Sequence, residues 1–274
     1  MVGDNSRVSP LKSESAGIPG LLRKISGELS IDPIRQGRYN DRKFFVICMT
    51  PRSGSTYLGS VLSANGIANV QEHFRIQGGA IERDAEKLNQ KTYETYFRHK
   101  VEQLTSKSGY FGLKCDWPQY APIYVSGLHA HYLRDAEFFY LTRSDILAQA
   151  ISRYVATESN YFHSVNELPE GGKIEVDFDY DKIRSHLEHL IKMQSDWEQF
   201  FACEGLKVNR ITYEELAKDP AKTVRDISSV LDYSVDDVVV ETEFKVVSTD
   251  LNDRLREQFV AEHRQRVAQF SWMK

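Results

Sequence analysis

The sequence predicts an α/β protein, a P-loop-like three-layer fold in which helices flank a central parallel sheet. Three observations lead there. Apolar runs such as Phe44–Met49 and Glu137–Leu141 show little alternation, as strands covered on both faces would. Each run ends in a short polar segment and passes into a helical pattern. Strand and helix patterns then alternate along the chain, which calls for parallel strands joined by right-handed crossovers. In such sheets ligands bind beyond the carboxyl ends of the strands, and Thr50, Thr142 and Tyr213 all fall there.

Residues 1–40 are rich in Ser, Gly, Pro and charge and are expected to form a flexible N-terminal tail, with a short helix near Leu21–Ile25. A single domain is expected from 41 to 274. Its first strand leads through Thr50-Pro51-Arg52-Ser53-Gly54 into a helix that Ser55 and Thr56 can cap, continuing through Leu58, Val61 and Leu62. Thr92–Leu104 sets Tyr93, Tyr96, Phe97, Val101 and Leu104 at helical spacing, an aromatic row for the core. Tyr110–Lys114 is a short strand. Glu137–Leu141 is the next, followed by a helix through Ile146, Leu147, Ala150, Ile151, Tyr154 and Val155. Thr157–Phe178 loses the periodicity and carries Pro169, Gly171 and Gly172, so it reads as a long loop. Tyr180–Cys203 is an amphipathic helix whose Ile183, Leu187, Leu190, Ile191, Trp197 and Phe201 share a face. Leu206–Thr212 is the last strand, and Leu251–Phe270 a charged C-terminal helix.

Composition excludes several classes. The chain has 274 residues, 41% of them hydrophobic, enough for one large domain. Its net charge of −4 provides no general basic field for nucleic acid, so an anion site must be local. Cys48, Cys115 and Cys203 are too sparse for a disulfide framework and suit a reducing compartment. Mean hydropathy is −0.46, and no apolar run approaches the ~20 residues of a membrane span. The first 40 residues do not read as a signal peptide, so a cytoplasmic location without a transmembrane anchor is expected. His186 and His189 are poorly spaced for a metal pair, and no metal is expected.

The loop after the first strand carries the chemistry. Small residues opening a helix present backbone N–H groups with the helix dipole behind them, a setting for phosphate or sulfate. Arg52 adds a fixed positive charge and a planar fork of donors. The Walker A pattern is not matched. No Gly stands five before Gly54, and Ser55 occupies the place of its Lys. Such a loop suits a 5′-phosphate that ends in something other than a triphosphate.

Thr50-Pro51-Arg52-Ser53-Gly54-Ser55-Thr56-Tyr57 resembles the 5′-phosphosulfate loop of sulfotransferases that use 3′-phosphoadenosine 5′-phosphosulfate (PAPS). In that family a Lys or Arg precedes Ser-Gly-[ST]-[ST]. The resemblance makes Arg52, Ser53, Gly54, Ser55 and Thr56 donor-binding residues. Arg143-Ser144-Asp145-Ile146-Leu147-Ala148-Gln149-Ala150-Ile151-Ser152 resembles the R-x-D-x-x-x-Q-A-x-S run of the bacterial trehalose 2-sulfotransferase-like group. That implies a grip of Arg143 and Ser152 on the 3′-phosphate. Tyr213-Glu214-Glu215-Leu216 is similar to a Tyr-Glu-[DE]-Leu run that precedes a helix in the family, where the Tyr contacts adenine. An aromatic face with a hydroxyl can both stack on a purine and bond its edge. The resemblance spans roughly residues 43–270.

Sulfuryl transfer needs two oxygens held in line, charge neutralised on the leaving phosphate, and a base for the acceptor hydroxyl. Arg52 and the loop amides can serve the leaving phosphate. Asn69–Arg75 contains the candidate bases. Glu72 matches the position of the acid that the trehalose 2-sulfotransferase-like group is proposed to use, and His73 beside it is the rival. Phe111–Gln119 resembles the family's Gly-x-Lys-x-x-Trp-x-Gln element, which would turn Lys114 toward the sulfate or the bridging oxygen. The resemblance thus implies transfer from PAPS to a carbohydrate or glycolipid hydroxyl with release of PAP, and it is compatible with a homodimer. Two alternatives remain: a P-loop nucleotide kinase or NTPase, and a non-catalytic nucleotide-binding protein of the same fold.

Overall fold

The computed structural model describes residues 34–75, 80–162, 174–243 and 250–270. Its strands are β1 (Lys43–Met49), β2 (Tyr110–Cys115), β3 (Glu137–Thr142) and β4 (Val208–Thr212). They form one parallel sheet in the order β2-β1-β3-β4. The helices are α1 (Ser55–Ala64), α2 (Ala80–Lys87), α3 (Tyr93–Leu104), α4 (Trp117–Val125) and α5 (Ile146–Ser159), then α6 (Tyr180–Glu204), α7 (Tyr213–Lys218), α8 (Pro220–Val230) and α9 (Asp250–Phe270). A π-helical turn, His129–Leu133, leads into β3. The chain leaves β1 for β2 on one side and returns past it to β3 on the other. That reversal opens a crevice above the carboxyl end of β1.

The apolar run of β1 is unbroken because both of its faces are covered. Val46 and Cys48 belong to one core with Phe97 of α3, Tyr120 of α4 and Trp197 and Phe200 of α6. Phe45, Ile47 and Met49 belong to a second core with Leu58, Val61 and Leu62 of α1 and Val224 and Ile227 of α8. Alternate side chains thus feed opposite layers, which is the expected three-layer arrangement. A third cluster ties α9 to α5 and α6 through Ile151, Tyr154, Ile183, Leu255 and Phe259.

The strands and helices expected from Phe44 onward are present, and details differ. Tyr93, Tyr96, Phe97 and Val101 of α3 are buried as expected. Ile191, assigned to the buried face of α6, is instead 51% exposed. The buried stripe runs through Ile183, Leu190, Met193, Trp197, Phe200 and Phe201, and Ile191, one residue past Leu190, is turned about 100° away from it. Helix α5 continues through Ser159, into the segment expected to be loop, and stops at Asn160, whose backbone is left-handed (φ 56°). Pro169, Gly171, Gly172 and the helix expected near Leu21–Ile25 lie outside the described residues.

Residues 34–40, read as tail, lie against the domain. Ile34 and Tyr39 pack on the first core. The backbone N–H groups of Arg35 and Gln36 donate to the Glu94 carboxylate, each at 3.2 Å. Glu94 is buried and needs such donors; Tyr132 supplies a third at 3.0 Å. No helix among the described residues is long and apolar enough to cross a membrane.

Candidate active site

The loop 50–54 is fixed from beneath by side chains of two helices. Trp197 Nε1 donates to the Met49 carbonyl (3.1 Å), and Gln149 Nε2 donates to Thr50 Oγ1 and the Pro51 carbonyl (2.8 and 2.7 Å). Within the turn Arg52 and Gly54 take left-handed backbone, φ 68° and 85°. For a residue with a Cβ such as Arg52 this costs on the order of 1–3 kcal/mol. Gly54 has a second reason to be glycine: a Cβ there would stand 2.7 Å from Tyr213 Cδ2.

Gly54, and not Ser55 or Thr56, is the N-cap of α1, and no side chain caps that end. Ser55 already has helical backbone, and a residue inside a helix cannot cap it. Thr or Asp side chains cap each of α3 to α8. The first-turn N–H groups of α1 therefore stay open to an anion.

The other donor-binding candidates converge on this turn. Arg52 Nε donates to Ser152 Oγ (3.1 Å), and Arg52 Nη1 to the Phe162 carbonyl. The Arg143 guanidinium lies 4.6 Å from the centre of the Tyr213 ring. Glu214 accepts from the backbone N–H groups of Ser144 and Asp145 (3.1 and 3.5 Å) and so pins the turn that carries Arg143. Burial, and then the neighbouring charge of Arg143, pull the Arg52 guanidinium below its ordinary pKa. Among the described residues neither guanidinium has a carboxylate within 4.0 Å, and Ser53 Oγ and Arg143 Nε are buried without partners. This is a cationic, N–H-rich cradle beside an aromatic face, suited to a phosphorylated nucleotide.

Glu72, His73 and Lys114 assemble next to it. Gln71 bridges Leu113 in parallel, which carries the chain past β2 and brings Glu72 beside Lys114. Helix α1 lies directly on this segment, because Gly59 has no Cβ to meet the Val70 carbonyl, which would be 2.6 Å away. Lys114 is only 4% exposed, and its Nζ is 3.3 Å from Glu72 Oε1 and 3.5 Å from Thr56 Oγ1. Gln119 Nε2 donates to Glu72 Oε2 (3.1 Å). Thr56, Glu72, His73 and Lys114 line a cleft of about 690 Å³ together with Asp84, Tyr96, Lys100 and Glu243. Thr56 thus belongs to both the cradle and the cleft.

His73 is a weak base in this setting. Burial, then the charge of Lys100, hold its imidazole down to about 4. Its Nε2 is buried without a partner among the described residues. We expect the His73 ring to titrate near pH 4 in an NMR experiment; a midpoint near the reference value of about 6.5 would contradict this environment. The unfolded chain binds the proton that folded His73 refuses, so this group costs stability as pH falls from about 6.5 to about 4. Asp116 behaves oppositely: burial, reinforced by the charge of Glu72, pushes its carboxyl up to about 7 against the Gln119 N–H and the charge of Arg153.

Several supporting residues carry no signal in the sequence read alone. Gln119, Gln149 and Glu214 lie within the motifs, yet only the folded chain reveals what each one holds. His129 is 2% exposed in the π-helical turn and shares a hydrogen bond with Tyr120 Oη (2.7 Å). His186, poorly spaced with His189 for a metal pair, is half-buried with its ring 6.2 Å from that of Tyr154. No group of His, Cys, Asp and Glu among the described residues is arranged to hold a metal ion.

Comparison with known proteins gives one family: that described as Stf0 sulphotransferase matches residues 44–265. Among solved structures, that of a sulfotransferase from Alicyclobacillus acidocaldarius is similar. It is 20% identical over 81% of this chain and 93% of that one, with a TM-score of 0.48. No curated protein matches significantly.

Proposed function

The chain belongs to the Stf0 sulphotransferase family, and from that membership we propose that it moves a sulfuryl group from PAPS to a hydroxyl of a carbohydrate or glycolipid. The observation that carries this reading is the shared wall of cradle and cleft: Thr56 stands in the first turn of α1, beside the candidate phosphate loop, and also meets Lys114, which meets Glu72. A sulfate held by the turn is therefore next to a carboxylate.

In this reading Arg143 and Ser152 grip the 3′-phosphate and Tyr213 meets the adenine. Arg52 and the open N–H groups of α1 take the 5′-phosphosulfate. Glu72 removes the acceptor proton as the acceptor oxygen bonds to sulfur and the bond from sulfur to the phosphate oxygen breaks. Arg52 and the amides then neutralise the phosphate of departing PAP. Lys114 pairs with Glu72 and faces the moving sulfuryl group. The cleft favours a polyhydroxyl acceptor. Its wall has carboxylates at Glu72, Asp84 and Glu243, cations at Arg75, Lys100 and Lys114, and hydroxyls at Ser60 and Ser63, alongside apolar surface of similar extent.

The donor assignment is tested by calorimetry with PAP and 5′-AMP. PAP should bind about ten- to hundred-fold tighter, the value of a charge-assisted contact to the 3′-phosphate, and Arg143→Ala should erase most of that preference. Equal binding of the two nucleotides by the native protein would overturn it.

A further inference from the structure

We infer that Gln119 is a positioning residue whose carboxamide aims the Glu72 carboxylate at the acceptor hydroxyl, with Asp116 fixing Gln119 in turn. The inference rests on the reading of Glu72 as the base.

Glu72 lies in an irregular segment that, among the described residues, pairs with the sheet backbone through the isolated Gln71–Leu113 bridge, so its backbone does little to direct its side chain. Two donors do that instead. Lys114 Nζ is 3.3 Å from Oε1 and Gln119 Nε2 is 3.1 Å from Oε2. They come from different elements, β2 and α4, and each takes one oxygen. An ammonium is a point charge that attracts without fixing direction, whereas an amide N–H is directional. The aim of the carboxylate therefore depends on Gln119.

Gln119 is itself held rigidly. It is 2% exposed in the first turn of α4, and its backbone N–H donates to the Asp116 cap (Oδ1, 3.0 Å). Asp116 is buried as well, 3% exposed. The other end of the Gln119 amide is left over: Oε1 is buried with no partner among the described residues. Exchanging the two ends would put that oxygen against a carboxylate oxygen, so the orphan follows from committing Nε2 to Glu72. Packing alone does not require this arrangement, because Met or Leu would fill the volume without an unpaired atom.

The test uses the full chain, labelled PAPS and a fixed carbohydrate extract as the acceptor probe. Gln119→Met keeps the length and removes the donor; Gln119→Asn keeps an amide that falls short. Both should lower the transfer rate by about tenfold or more at saturating PAPS, because a misaimed base reacts poorly. PAP affinity should stay within about two-fold, and Gln119→Met should not lower the Tm. In a Glu72→Gln background Gln119→Met should cost nothing further. A native rate in both variants would overturn the inference, as would an undiminished loss in the Glu72→Gln background. An active Glu72→Gln single variant would instead remove the base assignment itself, a separate outcome read in the same experiment.

Discussion

Glu72→Gln should lower kcat by about 10²–10⁴-fold while PAP affinity stays within a few-fold. Gln keeps the shape and can still meet Lys114 and Gln119, but it cannot accept a proton. The substitution leaves Arg52, Arg143, Ser152 and the first-turn amides of α1 in place, so donor binding has little reason to change. His73→Ala should lose far less. An imidazole held down to about 4 by burial and by the charges of Lys100 and Lys114 has little affinity for a proton at neutral pH. Parallel measurement of both variants with labelled PAPS decides between the two residues. An active Glu72→Gln protein beside an inactive His73→Ala protein would reverse their roles.

Arg52→Ala should lower the transfer rate by about 10²–10³-fold, the usual cost of losing one preorganised charge at a leaving group. Affinity for PAP should fall by less, because charge on the 5′-phosphate develops mainly as the bond to sulfur breaks. Some loss of affinity is expected all the same: Arg52 Nε holds Ser152 Oγ at 3.1 Å, and the substitution frees that hydroxyl. Arg52→Lys should keep part of the activity, since the charge remains while the fork geometry is lost. Single-turnover rates set against calorimetric PAP affinities separate the two effects. Normal turnover in Arg52→Ala would mean that the loop has another task.

The core of this fold was legible because hydrophobic periodicity and burial coincide along β1, β3, α3 and most of α6. The grouping of Arg52, Ser152, Arg143 and Tyr213 around one turn was legible because these residues follow the strand ends in short, ordered motifs. Other features were not, and for physical reasons. Whether Ser55 caps α1 depends on the backbone of Arg52 and Gly54, and a propensity argument does not fix two left-handed residues in one turn. The docking of residues 34–40 depends on Glu94, a carboxylate on a distant helix that accepts two of their amides. The contact of Glu72 with Gln119 joins residues 47 positions apart, beyond the reach of any local pattern. Lys114 could have been an ordinary surface lysine, and only the chain segment laid over β2 makes it a buried one.

The two guanidiniums of the cradle have an evolutionary consequence. Arg52 and Arg143 repel each other, Arg52 sits in an unfavourable backbone region, and among the described residues no carboxylate lies within 4.0 Å of either guanidinium. Replacing either with a neutral side chain removes that repulsion from the empty protein and, on the proposed function, takes away a hold on the donor. Selection for heat resistance and selection for turnover therefore act in opposite directions on the same two positions. A sturdier relative of this chain would have to gain its stability elsewhere, in the α5–α6–α9 layer or on the solvated faces, and leave the cradle under tension.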